Sequence, residues 1–371
     1  MTRKKAIVFV VLFFIFIALP NTTFFFVGKY IDTKNYENRS KAQRPPLTLD
    51  TYSDFPKKYE KFFDDNIPFR NQLIRLSSSI DYFLFGQPSD KRVVVGKDGW
   101  LFYRRDTDGN PVRHSRGFWH FTNEELNKIS DNLVKARDEL RKKNIEFVLF
   151  IAPNKESIYG EYIPDYYPIK DKIMSTDQLV KFLKEKTDIR VVYPKAEILE
   201  AKSQYTDVLF YKKLDTHWNQ LGAYIGAKAL AKELGISMPD FGNLKYKSNL
   251  VSSGDLTNML NIQITDGDIN YSISGISKNK TEYKDKDKKK MIQDYTTTSV
   301  EGEKRPDLRR VLIRGDSFRT ALVPSLATQF QNLRVVHNSV YNKKQIFDYN
   351  SDIFVYVRVE RLIRGLLNFK L

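Results

Sequence analysis

From about residue 120 the apolar positions alternate between helical spacing and unbroken short runs. Leu126, Ile129, Leu133 and Leu140 keep one helical stripe, which Thr122 and Glu125 open as a capping box. The continuous run "IEFVLFIAP" (145–153) then reads as a buried strand. Ser175 and Gln178 suggest a second cap, followed by Leu179, Phe182 and Leu183 and the strand "IRVVYP" (189–194). A short helix (195–202), a strand "DVLFY" (207–211) and a helix "NQLGAYIGAKALAKEL" (219–234) come next. Asn219 is the natural N-cap of that last helix, and Leu221, Ile225 and Leu230 form its apolar side. The rhythm resumes near 309 with "RRVLIR", a helix through 330, "LRVVHN" and "DIFVYVRVE". Alternating strands and helices predict an α/β fold, a mainly parallel sheet with helices on both faces.

Two regions break that rhythm. Residues 243–308 are polar, carry the run "KNKTEYKDKDKKK" (278–290), and read as an inserted excursion or mobile loop. Upstream, "RVVVGKDGWLFYRR" reads as a hairpin turning at Gly96–Gly99. Helical spacing follows Pro68 within 59–86, and residues 29–60, with Pro45 and Pro46, read as a polar stalk.

The first 28 residues set the compartment. Arg3, Lys4 and Lys5 precede "AIVFVVLFFIFIAL", and apolar character resumes after "PNTT", so residues 6–27 are long enough to span a bilayer. "IALPNTTFFF" is a poor cleavage site, which favours a signal anchor over a cleaved signal. The basic flank predicts a single pass with the N-terminus inside and the rest outside the cytoplasmic membrane. The expected organisation is an anchor (1–28), a stalk and helical lead-in (29–95), and a catalytic domain (96–371) containing the insertion.

Composition narrows the partners. A formal charge of +16 calls for anionic surroundings, but the lysines are scattered among acidic residues with no continuous basic stripe. Nucleic acid therefore ranks below acidic lipid or an acidic wall polymer. Cysteine is absent, which excludes disulfides, a thiolate nucleophile and Cys-ligated zinc.

Two short stretches carry chemistry. In "VLIRGDSF" (311–318) a strand ends at Gly315 and Ser317 opens the following helix, where free N–H groups could stabilise an oxyanion. A strand-to-helix turn with a capping serine explains the same residues equally well. "DTHW" supplies what that serine lacks: Asp215 and His217, two apart in an extended segment, point the same way, so the carboxylate can hold Nδ1 and leave Nε2 for Ser317. Against this stand a structural histidine and a metal pair, the latter weakened by the lack of a second pair at ligand spacing. Trp218 is most simply a packing residue, or else the wall of an acyl or sugar pocket. His114, His120 and His337 show no partners in the sequence.

The ordered set "DGWLFY" (98–103), "APNKESIYGEYIP" (152–164), "DTHWNQLGA" (215–223), "SGDL" (253–256) and "GDSF" (315–318) resembles the AlgX/AlgJ-type polysaccharide O-acetyltransferases and the related DHHW proteins, from about residue 60 onward. The resemblance implies an SGNH-hydrolase-like fold, permuted because Asp-x-His precedes the serine. It implies Ser317 as nucleophile, His217 as base, Asp215 as its orienting carboxylate, and no cofactor or metal. It also implies a polysaccharide acceptor and a membrane-bound acyltransferase that supplies the acyl donor. The Ser317 N–H and Asn154 are the candidate oxyanion donors, and Lys155 the candidate contact for an anionic sugar. Asp255 matches a position of the family without a role that physics assigns. The chain ends soon after its last strand, so grip on the polymer is expected from the catalytic face rather than from a carbohydrate-binding module.

The function expected is extracytoplasmic O-acyl transfer, with the acyl group acetyl by resemblance alone. The alternatives are an SGNH-type carbohydrate esterase using the same three residues, and a non-catalytic scaffold of a polysaccharide export or modification complex. Retention of all three groups argues against the scaffold.

Overall fold

The computed structural model describes residues 3–31, 40–265, 267–287 and 291–371; parts of the expected stalk (32–39) and of the lysine run (288–290) lie outside the described residues. The chain divides into two compact units, Met1–Asp90 with Thr257–Gln263, and Lys91–Leu256 with Ile264–Leu371.

The first unit holds α1 (Arg3–Val27), α2 (Phe55–Asn66) and α3 (Arg70–Phe85). Among the described residues, α1 is the one helix long and apolar enough to cross a membrane. Asp65, buried at the end of α2, accepts a hydrogen bond from the Ala42 N–H (2.8 Å).

The second unit contains β1 (Val93–Val95) and β2 (Leu101–Tyr103), then β3 (Glu146–Ala152), β4 (Arg190–Val192), β5 (Lys245–Val251), β6 (Asp268–Ser274), β7 (Lys280–Asp285), β8 (Ile292–Thr298), β9 (Asp307–Gly315), β10 (Phe330–His337) and β11 (Ile353–Val359). Its helices are α4 (Pro111–Ser115), α5 (Asn123–Arg141), α6 (Lys155–Ile158), α7 (Ser175–Lys186), α8 (Lys195–Gln204), α9 (Gln220–Glu233), α10 (Asp255–Leu260, which runs on into the first unit), α11 (Arg319–Ala327) and α12 (Lys344–Asp348). The β1–β2 hairpin forms as expected, pairing Val93 with Tyr103.

Seven strands make the central sheet in the order β4-β3-β11-β9-β10-β8-β7. The first five run parallel, and β8 and β7 are antiparallel additions. Strand β3 shows why its sequence reads as an unbroken apolar run. Val148, Phe150 and Ala152 enter one core with α8, α9 and α11, while Phe147, Leu149 and Ile151 enter another with α5 and α7. Both faces of the sheet are covered.

Several expectations change. Residues 207–211 form no strand, only a single bridge between Tyr211 and Trp218. Side chains occupy the backbone there: the Leu209 and Phe210 N–H groups donate to the Tyr271 and Tyr159 hydroxyls, and the Asn219 amide donates to the Leu209 carbonyl. The second cap belongs to Asp177, whose carboxylate accepts from the Met174 N–H (3.1 Å), while Gln178 brackets the backbone of Phe121 instead. The polar stretch 243–308 is largely two antiparallel pairs, β5–β6 with α10 between them in sequence, and β7–β8. Cross-strand pairs hold β7 and β8: Thr281 with Thr297 (2.8 Å), Tyr283 stacked on Tyr295, and Asp294 gripped by both ends of the Arg334 guanidinium on β10.

Parallel register sets the location of the chemistry. Ala152 pairs with Val359, Val357 with Gly315, and Gly315 with His337, so the carboxyl ends of β3, β11, β9 and β10 share one edge. In open parallel sheets that edge is where ligand sites gather.

Candidate active site

The turn after β9 brings Ser317 to the surface. Asp316 builds it: one carboxylate oxygen accepts from the Phe318 N–H (3.1 Å), and the other accepts from the Val359 N–H at the end of β11 (2.7 Å). The Arg319 guanidinium donates to the Asp316 carbonyl (2.8 Å). Gly315 has no room for a side chain, since a Cβ would sit 2.8 Å from that of Val357. Ser317 itself is exposed, and among the described residues its N–H meets no protein acceptor.

The His217 Nε2 lies 2.7 Å from the Ser317 Oγ, and its Nδ1 lies 2.7 Å from the Asp215 Oδ1. The same Oδ1 accepts from the His217 N–H (2.9 Å), a turn in which an aspartate side chain bonds the backbone two residues on. Asp215 and His217 are therefore brought side by side by a local turn, not by the extended strand their spacing suggested. Ring nitrogen roles follow from the partners: with a carboxylate at Nδ1, that nitrogen carries the proton and Nε2 faces the hydroxyl.

The loop 212–218 is held from below and from both sides. Lys155 is fully buried, and its ammonium donates to the carbonyls of Lys212 (3.2 Å), Lys213 (3.0 Å) and Asp215 (2.6 Å). Buried Asp268 accepts from the Leu214 N–H (2.8 Å). Asp255 accepts from the Thr216 N–H (2.7 Å) and from its hydroxyl, and the Asp255 N–H donates to the Asp215 Oδ2 (3.1 Å). Gly254 allows this approach, because a Cβ there would stand 2.3 Å from the Leu214 carbonyl oxygen. The Ser-Gly-Asp-Leu stretch thus clamps the loop that carries Asp215 and His217.

Charge follows from that packing. Burial alone would pull the His217 pKa down, but the Asp215 and Asp255 carboxylates outweigh it and raise it to about 9. Burial alone would raise the Asp215 carboxyl; the hydrogen bond and charge of His217, with help from Lys212, hold it below its usual range instead. Burial lowers the Lys155 ammonium, opposed by Glu156, Asp255 and Asp215.

The other residues singled out from the sequence are near but differently employed. Lys155 faces carbonyls in the interior rather than a sugar at the surface, its buried ammonium lying over the rings of Trp100 and Phe102. Trp218 is buried against Phe150, Tyr211 and Phe318 and donates to the Phe318 carbonyl (3.1 Å), which is the packing role. Asn154 is buried just beyond β3; its Oδ1 accepts from the Arg361 N–H (3.4 Å), and its Nδ2 has no protein partner.

Sequence reading missed Glu360. This fully buried carboxylate at the end of β11 accepts from the Asn154 N–H (2.7 Å), the Ser157 hydroxyl (2.6 Å) and the Tyr193 hydroxyl (2.6 Å). A buried acid must be fully bonded to persist, and these bonds fix the strand ends around Asn154. The signal available was a glutamate closing the apolar run "DIFVYVRVE", where an unbonded charge has no place. His114, 3.7 Å from Glu360, bonds Thr176; His120 bonds the Ile173 carbonyl, and His337 bonds Ser339.

Asp215, His217 and Asp255 also form the one group among the described residues whose atoms could hold a metal, all within 4.8 Å. A cation there would have to displace the Nδ1 proton from a 2.7 Å hydrogen bond. Two clefts of about 460 Å³ each lie elsewhere, one near the opposite edge of the sheet beside Asp307 and Gln329 and one between α8 and α9. Ser317 lines neither, and sits on open surface.

Residues 93–301 match the model of the SGNH hydrolase-like domain of the acetyltransferase AlgX. The chain belongs to that family. The matched segment contains Asn154, Asp215, His217 and Asp255 and stops before Ser317. "Probable alginate O-acetylase AlgJ" of Pseudomonas syringae pv. tomato is 29% identical over 189 residues, 49% of this chain and 43% of that one. Its namesake in Azotobacter vinelandii is 28% identical over 213 residues, 54% of this chain and 50% of that one. The chain spans about half the length of the curated relatives it matches. The fold is shared with Bacillus cereus PatB1, with a TM-score of 0.55 at 15% identity, over 75% of this chain and 99% of PatB1.

Proposed function

We propose that this chain is an O-acyltransferase, acetyl by the names of its relatives, that modifies hydroxyls of a polysaccharide outside the cytoplasmic membrane. The observation that carries the reading is the run of two 2.7 Å contacts from Ser317 through His217 to Asp215. A hydroxyl, an imidazole and a carboxylate in that order are the parts of an activated serine nucleophile.

In the first step the Ser317 Oγ attacks the acyl carbonyl of the donor and its proton passes to the His217 Nε2. The leaving group departs with that proton, and an acyl ester remains on Ser317. In the second step a sugar hydroxyl attacks the ester, Nε2 takes its proton, and Ser317 recovers it as the sugar ester leaves. Asp215 holds the imidazole and stabilises the imidazolium formed in each step. The negative oxygen of each tetrahedral intermediate is met by the Ser317 N–H and the Asn154 Nδ2, two donors that no protein group occupies. Exposure of Ser317 suits an acceptor that is a polymer, because a chain can lie across the open edge without entering a closed pocket.

The α1 segment is read as a single-pass anchor with the N-terminus inside, supported by its length and by the three basic residues before the apolar run. The donor is proposed to come from a membrane-bound acyltransferase, a reading that rests on family resemblance. One observation favours an esterase instead: Ser317 is open to water, which would resolve the same intermediate.

The test is acetyl partitioning. The protein is given a chromogenic acetyl ester with and without an oligosaccharide acceptor, and the products are analysed for sugar ester and free acetate. Ser317-dependent acetyl on the sugar supports transfer. Acetate alone, at a rate indifferent to acceptor, assigns hydrolysis.

A further inference from the structure

Helix α3 is turned inside out. Its buried side chains are polar, Asn71 at 8% and Ser78 at 3% exposure, while Leu73, Leu76, Ile80, Phe83 and Leu84 are between 40% and 74% exposed. At 3.6 residues per turn these five fall within an arc of about 100°, with Asn71 and Ser78 opposite; a sixth exposed apolar residue, Phe85 at the end of the helix, falls outside the arc. On that side the Asn71 backbone carbonyl accepts from the Asn261 side chain within the same unit (3.4 Å). A surface helix of a water-soluble domain shows the reverse arrangement, and a contiguous exposed apolar face of this kind marks a contact surface.

What that face meets follows from α1. Phe24 in the last turn of α1 touches Phe69, the residue just before α3, edge-on with ring centroids 5.5 Å apart. The 25 residues of α1 extend about 37 Å at 1.5 Å per residue, more than the roughly 30 Å hydrocarbon layer. If the basic end sits at one surface, Phe24 to Tyr30 emerge at the other, and α3 begins at that level.

We propose that α3 lies in the outer interface of the membrane crossed by α1, with the Leu73–Leu84 face seated at the boundary between headgroups and acyl chains. The occupant of this face is lipid. Such a helix acts as a second, in-plane attachment beside the spanning one. The proposal rests on the anchor reading of α1 and is separable from it.

The chain has no cysteine, so single-cysteine labelling needs no prior substitution. Leu76→Cys, Leu84→Cys, Phe14→Cys in α1 and the exposed control Lys181→Cys on α7 are made in the full chain. Each is labelled with an environment-sensitive fluorophore and reconstituted into vesicles of phosphatidylcholine and phosphatidylglycerol. The emission at 76 and 84 is expected to shift to the blue and to be quenched by lipids spin-labelled high on the acyl chain, with aqueous iodide excluded. The label at 181 should show neither effect. Iodide quenching at 76 and 84 equal to that at 181, with Phe14→Cys still quenched by lipid, overturns the proposal and leaves the anchor standing. Loss of lipid quenching at 14 as well removes the anchor reading and the proposal together. A blue shift at 76 and 84 without lipid quenching assigns the face to protein, here a second copy, and also overturns it.

Discussion

The Asp255 Oδ2 stands 3.5 Å from the His217 Nδ1, on the same nitrogen that Asp215 holds at 2.7 Å. One imidazole therefore answers to two carboxylates. As the proposed base, His217 is neutral only when the imidazolium has lost a proton, and a pKa of about 9 defers that to alkaline pH. Also facing this cluster are Ser317, the ammonium of Lys155 through the Asp215 carbonyl, Lys212, and the ring of Phe318. The expected pH profile of kcat/KM rises with its midpoint near pH 9 and levels off above it. Asp255→Asn should move that rise to lower pH, because one of the two raising carboxylates is gone. It should also lower the plateau, because Thr216 loses its clamp. An unmoved rise would remove Asp255 from the electrostatics of the base.

Stability should carry the same signature. The folded His217 pKa lies above its ordinary 6.5, so the protonated pair stabilises the fold fully below about pH 6.5. That contribution is lost as pH rises through about 9. The melting temperature of the native protein should fall across this window more than that of His217→Gln, measured in parallel. Equal slopes would show that the pair contributes nothing to folding.

Lys155→Met fills the same buried position but strips the Lys212 and Asp215 carbonyls of this donor, while the Lys213 carbonyl keeps the Leu101 N–H. Each buried acceptor left dry costs roughly 1–3 kcal/mol, so a loss of several kcal/mol is expected by denaturant titration. Activity should fall further than stability explains, since the loop of Asp215 and His217 loses its staple. A stable, fully active Lys155→Met would show that the loop does not depend on the Lys155 ammonium.

Asn154→Ala tests the proposed second oxyanion donor. Losing one such donor costs roughly 100- to 1,000-fold in kcat, with KM for a small ester little changed. Because Glu360 holds the Asn154 backbone and not its amide, the fold should survive. A kcat within a few-fold of the native value would contradict the assignment.

Much of this was legible from pattern. Apolar runs buried on both faces, as in β3, announced the parallel strands, and the capping box at Thr122 and Glu125 forms as read. The strands β7 and β8 were not legible, because an edge hairpin held by Thr, Tyr and Arg–Asp pairs has little apolar content. The segment 207–211 misled in the other direction: it is apolar because it is buried, but its N–H groups bond tyrosine hydroxyls instead of a neighbouring strand. At the site, local spacing pointed to Asp215 beside His217 and a motif to Ser317. Asp255, Asp268 and Glu360 act across separations of about 40, 54 and 206 residues, which no local pattern reports.

The central claim is that Ser317 carries the acyl group. The most direct measurement mixes the full-length protein with an activated acetyl ester, quenches within the first turnover, and maps the adduct by peptide mass. One acetyl group is expected on Ser317, disappearing on adding acceptor, with no adduct in His217→Ala under the same conditions. Turnover in which no acetyl ever appears on Ser317, or a Ser317→Ala protein that turns over at the native rate, would contradict it.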